Sequence, residues 1–106
     1  MIDSLKNMLG FGSSTDYAGL VKEGAIILDV RTKREFAGGH INGAVNIAVD
    51  ELSNNLHRFP DKNKTIITCC ASGMRSAAAK QTLQSQGYTS VYNGGGWASL
   101  QGKLKR

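Results

Sequence analysis

Thr65-Ile66-Ile67-Thr68-Cys69-Cys70-Ala71-Ser72-Gly73-Met74-Arg75-Ser76 is the stretch that decides the fold. It opens on a short β-branched run with no polar alternation, the pattern of a strand covered on both faces. The run gives way to a short loop, Ala71-Ser72-Gly73-Met74, and a helix is expected to begin near Arg75-Ser76. Residues 75–86 follow, rich in Ala, Gln, Lys and Leu and closed by Gly87, which predicts a helix with a glycine stop. Strand, short loop, helix is the repeating unit of a parallel α/β sheet.

The flanking sequence repeats this signal. Ala25-Ile26-Ile27-Leu28 is a second continuous apolar run, with Ala44-Val45-Asn46-Ile47 and Ser90-Val91-Tyr92 as weaker ones. Ser14-Thr15-Asp16 offers helix caps before Tyr17, Leu20 and Val21, and Gly24 ends that helix. Thr32-Lys33-Arg34-Glu35 reads as a capping box, followed by Phe36 and a stop at Gly38-Gly39. Asp50-Glu51 opens a helical stretch through Leu52 and Leu56 that halts before Pro60. The fold class is therefore α/β with a mainly parallel sheet. Ligands of such sheets sit beyond the carboxyl ends of the strands, here after Leu28, Ile47 and Cys69.

With 106 residues, 41% hydrophobic and 20% charged, the chain supports one core and no second domain. Thirteen Lys and Arg against eight Asp and Glu give +5, which favours anions in general. A solvated basic surface is the expectation, with no nucleic-acid partner. No apolar run approaches the ~20 residues needed to cross a bilayer, so no membrane partner is expected either. The start, Met1 to Phe11, carries Asp3 and no continuous apolar stretch, so it does not read as a secretory signal, and a cytoplasmic location is expected. Residues 1–14 are expected as an N-terminal extension, with Ile2, Leu5, Met8 and Leu9 spaced as a short amphipathic helix. The domain is expected over 15–102, and a frayed basic tail over 103–106, with Lys103, Lys105 and Arg106.

The two cysteines, Cys69 and Cys70, are adjacent. Neighbours make a poor disulfide. With only His40 and His57 as nitrogen ligands, a metal site is not expected. A structural thiol, a reactive thiol, or one of each remains. A cysteine at a strand end just before a helix meets unpaired backbone N–H groups and the positive end of the helix dipole, which stabilise a thiolate. Loop amides curling round the sulfur form an anion-binding nest, and Gly73 supplies the positive φ it needs. Arg75 adds a fixed positive charge, either on a bound anion or in an ion pair with a neighbouring carboxylate. Such a site binds an anion and attacks it with the same sulfur. It requires a sulfur open to solvent.

These residues resemble a single-domain rhodanese, of the rhodanese-like sulfurtransferase family. Leu28-Asp29-Val30-Arg31, Glu35-Phe36 and Gly39-His40-Ile41-Asn42-Gly43-Ala44-Val45-Asn46-Ile47 match that family's N-terminal signature. Cys70-Ala71-Ser72-Gly73-Met74-Arg75-Ser76 matches its active-site loop, and Gly87-Tyr88 through Val91-Tyr92-Asn93 and Gly94-Gly95-Gly96-Trp97 its C-terminal end. Asn42 departs from the Pro common there. The resemblance covers about residues 15–100 and implies a three-layer α/β/α fold with about five short strands. It implies Cys70 as the sulfur-accepting nucleophile and Ala71, Ser72, Gly73, Met74 and Arg75 as the substrate cradle. The implied reaction is ping-pong: sulfane sulfur passes from a small anionic donor such as thiosulfate to Cys70, then from the persulfide to cyanide or a thiol. A protein sulfur donor or acceptor is a further implied partner, and no cofactor is implied.

A second register exists. Counted from Cys69, Arg75-Ser76 satisfies the Cys-x5-Arg-Ser/Thr pattern of phosphatases and arsenate reductases of the same fold. Cys70 is favoured because Gly73 then falls where the family glycine falls and no histidine precedes Cys69. Alternation along a strand also lets only one thiol point into the loop. Cys69 is then a small core residue. Asp29 is expected to bond loop amides or Arg75, or to be a structural carboxylate; Arg31 either adds potential at the site or pairs with Glu35. His40 is expected to be structural, and Trp97 a packed aromatic or a pocket wall. Besides the enzyme, a sulfur-carrier or docking module dependent on a partner fits the same residues.

Overall fold

The computed structural model describes residues 15–105. The N-terminal extension and its expected amphipathic helix lie outside the described residues. The elements in order are α1 (Tyr17–Lys22), β1 (Ile26–Asp29), α2 (Lys33–Ala37), β2 (Val45–Asn46), 3-10 turns at Val49–Asn54 and Leu56–Arg58, β3 (Ile66–Cys70), α3 (Met74–Ser85), β4 (Val91–Gly96) and α4 (Trp97–Leu104). The strands form one parallel sheet, ordered β2-β1-β3-β4. Among the described residues there are four strands where the family resemblance implies about five.

Alternation along the central strands builds a core on each face. Leu28, Val30, Ile66 and Cys70 pack with Leu52, Phe59, Ala79, Leu83 and Tyr88. Ile27, Ile67 and Cys69 pack with Ile41 and Leu100, covered by Leu20, Val21 and Trp97 from α1 and α4. The result is three layers, α/β/α. Leu28, Ile66, Ile67, Leu83 and Leu100 are wholly buried, each worth about 1.5–3 kcal/mol of apolar burial.

Local signals act as the sequence reads them. The Asp16 side chain caps α1 by accepting from the Gly19 N–H, and Thr32 and Glu35 form the capping box of α2. Three readings are corrected. The stretch from Asp50 forms two short 3-10 turns instead of an α-helix, six and three residues long, and neither has the side-chain cap that starts α1 and α2. The fourth strand runs on through Asn93-Gly94-Gly95-Gly96. A Cβ on Gly94 would stand 2.9 Å from Ile67 Cγ2, Leu100 Cδ2 and Thr68 O, so this strand needs a residue without a side chain there. Finally, α4 reaches Leu104, and Lys103 Nζ lies 5.6 Å from the centre of the Tyr17 ring, so Lys103 belongs to a helix and not to a frayed tail.

Candidate active site

β3 ends at the carboxyl edge of the sheet with Cys70 on the α3 side. The chain turns back at Gly73, whose φ of +106° lies where side chains are strained, and α3 begins at Met74. That turn aims amides at the sulfur. Gly73 N–H donates to Cys70 Sγ at 2.9 Å and Ser76 N–H at 3.4 Å, and Ser76 Oγ lies 3.5 Å away. Burial pushes the Cys70 thiol up. The Ser76 hydroxyl and the amides of Ser76, Gly73 and Ser72 outweigh it and hold the thiol below its ordinary value. The anion is thus stabilised by dipoles.

The glycines of β4 let the loop settle. A Cβ on Gly96 would stand 3.0 Å from Ala71 O, and one on Gly73 would stand 3.5 Å from Gly95 Cα. Asn93 locks the far side. Its Oδ1 accepts from Ser76 Oγ at 2.6 Å and Gly95 N at 2.9 Å, and its Nδ2 donates to Gly73 O at 3.3 Å. Thr68 Oγ1 donates to Ser76 O at 2.9 Å, which ties the first turn of α3 to β3. Sequence reasoning did not single out Ser76 or Asn93 for a role at the sulfur. A hydroxyl in the first turn after the loop was a signal for Ser76; for Asn93 none was available before the fold brought it there.

Ala71 and Ser72 are exposed, and Met74 is 81% exposed. Arg75 does not extend freely over the cradle. Its Nη1 and Nη2 donate to the two carboxylate oxygens of Glu35 at 2.7 and 3.0 Å. That bond and the Thr32 cap hold Glu35 far below the usual carboxylate range, at about 2, and raise Arg75. Asp29 bonds neither the loop amides nor Arg75: it is wholly buried and accepts from Arg31 Nε at 2.9 Å and Nη2 at 2.7 Å. Arg31 accordingly pairs with Asp29, not with the Glu35 carboxylate. It also donates to Gly39 O at 2.7 Å and lies 4.7 Å over the Trp97 ring, so Trp97 is a packed aromatic. His40 is stacked on Phe36 at 3.7 Å, with Nδ1 2.7 Å from Phe36 O, away from any acid-base work at the sulfur.

Two findings bear on the choice of nucleophile. Cys69 is wholly buried on the opposite face, and burial, then the charge of Asp29, push its thiol up to about 12. A nucleophile at 69, which the phosphatase register needs, is therefore both covered and protonated. Cys70 itself is 1% exposed, against the expectation of an open thiol. The physical reason is the cradle: each group that donates to the sulfur also covers a direction of approach. Among the described residues no group of three or more His, Cys, Asp or Glu could hold a metal ion. No helix among them is long and apolar enough to cross a membrane.

The parallel α/β/α domain delivers a strand-end cysteine into loop amides at a helix start, a geometry that favours the thiolate over the thiol. The chain belongs to the rhodanese-like domain family, whose profile matches residues 13–103. It is 39% identical over 70 residues to the thiosulfate sulfurtransferase PspE of Escherichia coli (strain K12), covering 65% of this chain and 67% of that one. The chain spans about two thirds of the length of the curated relatives it matches. Among solved structures it is similar to a rhodanese with anions from E. coli, with TM-score 0.68, 35% identity and coverage of 72% and 91% of the two chains. It is also similar to the human single-domain sulfurtransferase TSTD1, with TM-score 0.69, 32% identity and coverage of 76% and 85%.

Proposed function

We propose that this domain, over residues 15–102, is a sulfurtransferase that carries sulfane sulfur on Cys70. The observation that carries the reading is the convergence of Gly73 N, Ser76 N and Ser76 Oγ on one sulfur, which lowers its pKa and favours the thiolate inside the fold. The relative PspE, named for thiosulfate transfer, supports the reaction class. The Cys70 thiolate attacks the outer sulfur of a donor. With thiosulfate, the donor S–S bond breaks, sulfite leaves with its electron pair, and a Cys70 persulfide forms. An acceptor, cyanide in an assay or a thiol, attacks that outer sulfur and releases the thiolate.

In this scheme the N–H groups of Met74 and Arg75, in the first turn of α3 and without intrahelical partners, receive the negative charge on the outer sulfur. Arg75 acts through its field, because Glu35 holds its hydrogen-bonding edge. Two free cysteines suit a reducing cytoplasm.

The 1% exposure of Cys70 sets a condition: the loop must yield by the width of an incoming sulfur. It also favours a second reading, a carrier or docking module loaded only by a partner. The deciding experiment incubates wild type, Cys69→Ser and Cys70→Ser with thiosulfate and measures intact mass, thiocyanate formation and aryl-phosphate hydrolysis. A one-sulfur adduct on wild type and Cys69→Ser, absent from Cys70→Ser, is expected. Sulfur transfer retained by Cys70→Ser overturns the assignment. A folded wild type that takes no adduct favours the docking module.

A further inference from the structure

Asn93 stands on β4 opposite Thr68 of β3, and both side chains reach Ser76. Thr68 Oγ1 donates to the Ser76 carbonyl, and the Ser76 hydroxyl donates to Asn93 Oδ1 at 2.6 Å. The carboxamide has one way to sit. Gly95 N–H, which only donates, meets its oxygen at 2.9 Å, and Gly73 O, which only accepts, meets its nitrogen at 3.3 Å. From α1, Tyr17 OH donates to the Asn93 carbonyl at 3.2 Å and holds the backbone. With the carboxamide oxygen fixed, the short bond from Ser76 Oγ fixes where the hydroxyl proton rests.

The sulfur 3.5 Å away competes for that proton. Neutral Cys70 leaves it on Asn93, with the thiol donating to Ser76 Oγ. Ionised Cys70 has no proton to give, and the hydroxyl stabilises it only by turning from Asn93 Oδ1 to Sγ. The amides of Gly73 and Ser76 make no such choice, because a peptide N–H points one way. Asn93 thus holds back one of the donors that favour the thiolate. The titratable groups packed round the sulfur are bound elsewhere: Arg75 to Glu35, Asp29 to Arg31, and the Cys69 thiol, pushed up to about 12, in the opposite core. Lys80 lies further along α3, Asp50 and Glu51 on the 3-10 turn against α3 are exposed, and β4 carries no charged side chain.

Resting on the proposed sulfurtransferase reading, we propose that Asn93 is a positioning residue: its carboxamide oxygen competes with the Cys70 sulfur for the single Ser76 hydroxyl proton, and so sets the balance between sulfur uptake, in which Cys70 attacks, and sulfur release, in which it leaves. In uptake the new S–S bond forms at Cys70 as sulfite leaves thiosulfate with its electron pair. In release cyanide takes the outer sulfur as thiocyanate, and the electron pair of the broken S–S bond returns to Cys70. A lower thiol pKa weakens the attack and eases the departure. A hydroxyl shared with Asn93 keeps Cys70 between those two demands.

The test uses the full chain as wild type, Asn93→Ala, Asn93→Asp, Ser76→Ala and the double variant Ser76→Ala/Asn93→Ala. Thiolate absorbance across pH gives the Cys70 midpoint, and single-turnover uptake from thiosulfate and release to cyanide give the two rates. Asn93→Ala frees the Ser76 proton and is expected to lower the midpoint by about half a unit to one unit. Above the midpoint it slows uptake by up to about threefold and quickens release. Asn93→Asp keeps an oxygen in place and adds charge, so it is expected to raise the midpoint; opposite shifts from one position do not come from a loosened fold. Without the Ser76 hydroxyl, Asn93→Ala is expected to move the midpoint by less than about 0.3 unit. A residue that only braced the loop would act the other way, since amides drifting from the sulfur raise the midpoint. A rise in Asn93→Ala, or an equal fall in the Ser76→Ala background, overturns the inference and leaves the Cys70 chemistry standing. A folded wild type that takes no sulfur overturns the sulfurtransferase reading, while the midpoints still report on Asn93.

Discussion

Replacing Ser76 by Ala removes one oxygen from the cradle and leaves every backbone donor in place. The hydroxyl has one proton and three acceptors: Cys70 Sγ at 3.5 Å, Asn93 Oδ1 at 2.6 Å and Gly73 O at 3.0 Å. Both oxygens keep other donors without it. Asn93 Oδ1 still accepts from Gly95 N, and Gly73 O from Ala77 N and Asn93 Nδ2. No buried group is orphaned, so the stability cost is that of one neutral hydrogen bond, about 0.5–1.5 kcal/mol. The thiolate loses more. A hydrogen bond to a charged group is worth about 1.5–3 kcal/mol, less the neutral bond the proton abandons at Asn93 to reach the sulfur. The net is about 1–1.5 kcal/mol, and at 1.36 kcal/mol per unit the Cys70 pKa rises by about one unit. Thiolate absorbance and the rate of alkylation by iodoacetamide, both followed across pH, report that midpoint; urea unfolding reports stability. A midpoint unchanged within about 0.3 unit, with stability down by more than about 2 kcal/mol, would mean that the hydroxyl only braces the fold.

Three further outcomes follow from the same geometry. Cys69→Ser places a hydroxyl among Ile27, Ile41, Ile67 and Leu100 and is expected to cost about 1–3 kcal/mol in urea unfolding. Gly94→Ala forces a methyl to within 2.9 Å of Ile67, Leu100 and Thr68, and overpacking of that kind costs about 1–3 kcal/mol, read as a lower Tm. For Glu35 the folded carboxyl titrates at about 2, below its unfolded value, so its contribution is present above the ordinary carboxylate range and lost as pH falls through about 2. Unfolding curves of wild type and Glu35→Gln should therefore differ at pH 6 and converge on acidification through that window.

How much of this was legible in sequence depends on the range of each contact. Gly73 as a positive-φ turn, the Thr32 and Glu35 box and the glycine stop after α3 are settled within a few neighbours, and composition reveals them. The partner of Arg75 is not local. Glu35 lies 40 residues away, and in sequence a carboxylate there was one of several that could have met the guanidinium. Asn93 is hidden for the same reason, 17 residues beyond Ser76. The burial of Cys70 is hidden on different grounds: sequence shows the amide nest as a source of charge stabilisation, whereas only the fold shows that its atoms also occupy the space around the sulfur.

The two adjacent thiols show how little covalent difference the site requires. Cys69 and Cys70 share one strand and one peptide bond, yet burial drives the first up to about 12 and hydrogen bonds drive the second down. The difference is the strand's two-residue period, which turns one side chain into the apolar layer of Ile41 and Leu100 and the other into the start of α3. Pairing pins that orientation: Asp29 stands opposite Cys69, Cys70 stands opposite Gly96, and the register slips between Thr68 and Cys70. The slip falls where the loop must leave the sheet and where β4 is reduced to glycine. A side chain restored at Gly96 would press on Ala71 O at 3.0 Å and shift the loop before it touched the sulfur. The lowered pKa of that sulfur is thus a property of the β3–β4 edge as much as of the residues that follow the cysteine.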